Sequence, residues 1–101
     1  MSNTSPNQVI RNLQKLILEL PNGEQRDKLE KQRQDLSDIV QKTVEANVGK
    51  RTAEYIQIAA EFEKANLAIS KSVEDIKKIE DTINEIASCI SCCTEMLKTL
   101  K

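Results

Sequence analysis

Apolar residues recur at three- and four-residue steps along most of this chain, beginning with Val9, Ile10, Leu13, Leu16, Ile17 and Leu20. That spacing gathers side chains on one face of an α-helix, which completes a turn every 3.6 residues. The preceding "SNTSP" is polar and supplies a helix start. Ser5 can cap, and Pro6 suits the first helical position, where its missing N–H costs nothing. At the other end Pro21-Asn22-Gly23 stops or sharply bends the helix. Proline drives the residue before it out of α geometry, and Asn22 or Gly23 can take positive φ. A polar lead over 1–5 and a helix over 6–20 follow.

From Glu24 onward the chain has no proline and a single glycine, Gly49. The stretch "EQRDKLEKQRQDLSD" is mostly charged, with Glu24→Lys28 and Asp27→Lys31 in the favourable i,i+4 order. Its apolar stripe is thin: Leu29, Leu36, Ile39, Val40 and Val44. Such a helix packs along one seam and leaves the rest solvated. "ANVGKRT" marks the next break, with Gly49 ending a helix over 24–48 and Thr52 capping another.

Beyond it a seam runs through Thr52, Tyr55, Ala59, Phe62, Asn66, Ile69, Val73 and Ile76, then Ile79, Ile83, Ile86, Ile90, Cys93, Leu97 and Leu100. The steps alternate three and four, as in a heptad pattern, except that an extra three-residue step from Ile76 to Ile79 shifts the phase like a stammer. A helix over 51–100 would span roughly 75 Å. The two shorter helices, joined through the Pro-Asn-Gly elbow, make a first arm of similar length. The expectation is a single all-α domain over 1–101. Its preferred layout is an antiparallel helical hairpin, a three-helix coiled-coil-like bundle turning near Gly49. The alternative is a compact four-helix bundle, in which the long arm breaks near 70–72, where Ser72 and Asp75 could start a new helix.

Composition agrees with helices and limits the chemistry. There is one Phe, one Tyr and no Trp, with two Gly and two Pro in 101 residues, too little material for a sandwich or barrel. The 15 basic and 16 acidic residues give a net charge of −1, so neither nucleic acid nor an anionic membrane is implied as a partner. Residues 1–51 hold nine Lys/Arg against seven Asp/Glu, and residues 52–101 hold six against nine. The two halves would therefore attract weakly. No apolar run approaches a membrane span and "MSNTSPNQV" does not read as a signal peptide, so a cytoplasmic protein with reduced thiols is expected.

Cys89, Cys92 and Cys93 can share one side of a helix, but zinc asks for four ligands and the chain has no histidine and no second cysteine cluster. A reactive Cys-x-x-Cys sits at a helix start, whereas these lie near a helix end, where the dipole opposes a thiolate. Cys93 also falls on the seam of Ile86, Ile90 and Leu97, so packing is the expected role, with no metal and no cofactor. "GKRT" at 49–52 ends like a phosphate-binding loop, yet Val44 stands where its first glycine belongs and Arg51 where a hydroxyl should hold magnesium. The acidic pairs Glu61/Glu63, Glu74/Asp75 and Glu80/Asp81 do not share a helix face and read as solvated surface. Without histidine the usual triads are closed, so no catalytic residue is assigned. Tyr55 and Phe62, seven apart, share a face and read as core.

In length and in a central hairpin the chain resembles the small type VII secreted proteins with a Trp-x-Gly turn. Its own turn reads Asn47-Val48-Gly49, without the tryptophan, and no Tyr-x-x-x-Asp/Glu tail follows, so no family is assigned.

These features lead to a non-enzymatic interaction or adaptor module. It would pair with itself, as a homodimer, or with another helical protein, through Ile69, Val73, Ile76, Ile79, Ile83, Ile86, Ile90, Leu97 and Leu100. The reason is a mismatch of seams. In the hairpin layout these side chains lie opposite the charged start of helix 24–48, where only Leu29 is strongly apolar. The alternative is a secreted or membrane-active helical hairpin. The net acidic charge of residues 52–101 speaks against it, since membrane-surface helices favour Lys/Arg.

Overall fold

The computed structural model describes residues 5–45 and 53–98. The turn near Gly49, the "GKRT" stretch and Leu100 lie outside them. Among the described residues the chain is all-α, with four helices and no strand: α1 (Pro6–Glu19), α2 (Glu24–Glu45), α3 (Ala53–Glu74) and α4 (Ile79–Lys98), the last preceded by a single 3-10 turn, Ile76–Lys78.

Local chemistry explains most of the boundaries. Ser5 is extended and its hydroxyl accepts the Gln8 N–H at 3.2 Å, with Pro6 opening α1. Leu20, ahead of Pro21, has φ −90° and ψ 145°, the extended geometry that a following proline imposes. Arg26 secures this elbow by donating from its guanidinium to the Leu20 carbonyl at 3.0 Å. Gly23 stays out of the left-handed region, and a Cβ there would meet no atom within 4 Å. The bend is therefore the work of the proline.

The arm over 51–100 is not one helix. Asp75 adopts φ −144° and ψ 103°, and its carboxylate accepts the Lys77 N–H at 3.1 Å. An aspartate cap thus breaks the arm and folds α4 back along α3, giving the compact four-helix arrangement. The phase shift between Ile76 and Ile79 is the trace of this break, not a stammer within a continuous coil. Ser72, where a break near 70–72 could have started a helix, lies inside α3 and is buried. Its hydroxyl bonds that of Thr82, and Thr82 in turn donates to the Ala68 carbonyl at 2.8 Å.

The helices form a ring in which α1 packs on α2 and α3, and α4 packs on α2 and α3. Helices α2 and α3, consecutive in the chain, therefore sit across a diagonal. Asn12 donates to Asn66 at 2.9 Å between α1 and α3, and Gln32 donates to the Ile83 carbonyl at 2.9 Å between α2 and α4. Two antiparallel hairpins, α1–α2 and α3–α4, thus lie side by side. The core takes Val9, Leu13, Leu16 and Ile17 from the first helix, Leu20 from the elbow after it, and Leu29, Leu36 and Ile39 from the second. Ile58, Phe62, Ala65 and Ile69 come from the third, and Ile79, Ile83, Ile86, Cys89 and Cys93 from the fourth.

This arrangement removes the mismatch of seams. In a hairpin each seam meets a single facing helix; in a bundle it meets a core fed by three. Helix α4 packs on α3 as well as on α2, and α3 packs on α1, so the charged start of α2 is not the sole cover of the Ile-rich seam.

A candidate interaction surface

The proposed seam residues divide into three groups. Ile69, Ile79 and Ile86 are at most 1 % exposed and Ile83 only 8 %, all covered by the chain itself. Ile90 and Leu97 are half-buried against the core. Val73 and Ile76 stand 55 % and 54 % exposed at the α3–α4 corner, because the break at Asp75 takes them off the packed face. The stripe that α3 buries is Ile58, Phe62, Ala65, Ile69 and Ser72, turned toward α4 from the expected line through Tyr55, Ala59, Phe62, Asn66 and Ile69. A helix with two neighbours centres its apolar stripe between them. Phe62 is fully buried. Tyr55, with Val40, Val44 and Ile58, lines a cavity of about 280 Å³ at one end of the bundle.

Two further apolar residues on α3 have no place in that seam. Ile56 is 59 % exposed and Leu67 56 % exposed. Eleven residues apart, they stand almost on one line, on the side of α3 opposite its buried stripe. Ala60, also exposed, lies between them. The outer side of α3 thus exposes large apolar residues among Glu63 and Glu74, where a bundle helix is ordinarily polar. The signal was present in the sequence as a second set of apolar positions, masked by the stronger inner stripe.

Next to Leu67 a groove of about 340 Å³ runs between α3 and α4. Lys64 and Lys71 stand on its α3 wall, Asp81 and Glu85 on its α4 wall, and Lys78 at the end near the corner. Lys64 reaches Glu61 of its own helix at 3.2 Å, an exposed pair of the kind that contributes little. A second groove, between α2 and α4, is lined by Ile83, Ala87 and Ile90 with Lys28 and Lys31 at its edge. Lys28 pairs with Glu24 at 3.4 Å.

The cysteines are packing residues in part. Cys89 and Cys93 are buried, Cys92 is exposed, and none is in a disulfide. The hydrogen bond with Cys93, then burial, pushes the Cys89 thiol well above its ordinary value, which keeps it protonated and a poor nucleophile at neutral pH. Among the described residues no group of three or more His, Cys, Asp or Glu side chains is placed to hold a metal ion.

The raised thiol has a measurable consequence. Because Cys89 ionises more readily in the unfolded chain, its contribution to stability is complete below the unfolded thiol value, near 9.0, and declines as pH rises above it. Each further pH unit should remove up to about 1.4 kcal/mol. Urea unfolding of the parent and Cys89→Ala proteins should therefore show a gap that narrows above this pH. A gap constant with pH would contradict the assignment.

No helix among the described residues is long and apolar enough to cross a membrane. Comparison of the chain with protein-family models, with curated proteins and with solved structures finds no match.

Proposed function

We propose that this protein is a non-enzymatic helical interaction module that meets another helical surface through the outer side of α3. The observation that carries the reading is the pair Ile56 and Leu67, each more than half exposed on the face of α3 turned away from the core. Large apolar side chains left exposed on a helix that has already satisfied its own core are the feature a partner helix would cover. The reading moves the contact surface from the Ile-rich seam of α4, which the chain uses for itself, to the opposite side of the neighbouring helix. The free thiols fit a reducing, cytoplasmic setting. A role lying on lipid draws no support from this face, which carries Glu63 and Glu74 on the same line as Ile56 and Leu67.

Photo-crosslinking tests it. A photoreactive side chain placed at Ile56 or at Leu67, in cells of the native host, should give a discrete adduct. The same group at Gln34, exposed on α2, should not. No adduct at either α3 position, or equal adducts at Gln34, would contradict the reading.

A further inference from the structure

We propose that the partner on this surface is a second copy of the chain, seated face to face on the α3–α4 groove about a two-fold axis running along it. The inference rests on the reading of α3 as the contact helix and names what covers it. Its support is the arrangement of charge. The α3 wall of the groove is basic, with Lys64 and Lys71, and the α4 wall carries Asp81 and Glu85. Lys71, Asp81 and Glu85 make no ion pair among the described residues.

A two-fold axis along the groove exchanges its walls, so α3 of one copy lies over α4 of the other at the same height. The antiparallel run of the two helices fixes which residues share a height. Thr82 donates to the Ala68 carbonyl, which sets Lys64 level with Glu85 and Lys71 near Asp81 and Lys78. The exchange therefore brings Lys64 to Glu85, twice by symmetry, and sets Lys71 of one copy level with the stretch of the other that holds Lys78 and Asp81. Leu67 lines the same groove and is covered together with it. An isologous contact requires a self-complementary patch of this kind. A foreign partner would have to match both signs side by side.

The available area is sufficient. Helices of 22 and 20 residues make a face about 30 Å long, and with neighbouring axes about 10 Å apart it is roughly 20 Å wide. That is about 600 Å² from each copy, at the lower bound of specific interfaces. The contact is thus a reversible dimer.

Sedimentation equilibrium on the full chain tests the proposal. The parent protein should dimerise reversibly. Leu67→Glu, which alters an exposed position and should keep the helical circular dichroism, should weaken the dimer by about a hundredfold or more. Lys64→Glu and Glu85→Lys should each weaken it roughly tenfold, since each sets like charges opposite one another twice. An equimolar mixture of those two variants should regain the parent affinity, because the mixed dimer restores both Lys–Glu oppositions. A parent protein that stays monomeric at high concentration would overturn the proposal. So would a dimer indifferent to Leu67→Glu, or variants that fail to complement. A monomeric parent that still crosslinks from Leu67 to a different host protein would remove only the second copy and leave the reading of α3 standing.

Discussion

Replacing Ile86 with glutamate should unfold the protein. Ile86 is fully buried, on α4 within the shared core. A carboxylate there would have to shed its water without finding a cation or a set of donors. It would either remain uncompensated or take up a proton at a free-energy cost. The isoleucine's own burial, about 1.5–3 kcal/mol, is lost as well. Together these reach the class of substitution that costs more than about 4–5 kcal/mol, comparable to the whole stability of many small domains. Circular dichroism should show the loss of cooperative unfolding. The outcome separates the present placement of Ile86 from the seam reading. On an intermolecular seam, Ile86→Glu would give a folded monomer; in the closed core it gives an unfolded chain.

The second large effect is at Phe62, where truncation to alanine should cost about 3–5 kcal/mol. Phe62 is the chain's sole phenylalanine and is fully enclosed, so alanine leaves a cavity that neighbouring helices fill only in part. Leu67, five residues on, points the other way. Its change to alanine should lie within about 0.5 kcal/mol of the parent in the monomer, as expected for an exposed position. Urea unfolding of the two variants would measure both faces of α3. Equal costs would contradict the division into an inner and an outer side.

Where the fold is written in local chemistry, the sequence is informative. Ser5 and Pro6 open α1 and the residue before Pro21 closes it, because a cap and a proline act through neighbours in the chain. The break at Asp75 is also present, though disguised. The extra step from Ile76 to Ile79 was the only periodic irregularity, and without a proline or glycine it resembles a stammer as much as a turn. What periodicity does not contain is which seam faces which. A stripe states that one side is covered, and the cover can be a neighbour, a distant helix or another molecule. Helix α3, folded back on α4 by the break at Asp75, covers much of the α4 seam, and α1 in turn covers α3. For the same reason the candidate seam residues Ile69, Ile79, Ile83 and Ile86 are core, while Ile56 and Leu67, outside the dominant stripe, are left exposed. The long-range bonds Asn12–Asn66 and Gln32–Ile83, which set the relative positions of the two hairpins, have no local signature.

One chain closes its own core and leaves Ile56 and Leu67 exposed on the outer side of α3. The most direct measurement is urea unfolding of Leu67→Glu, followed by circular dichroism at low and at high protein concentration. The account predicts a fully helical protein that unfolds cooperatively, with a midpoint that does not depend on concentration. A Leu67→Glu protein that is unfolded, or that folds only at high concentration, would show the core is not closed within one chain and would contradict it.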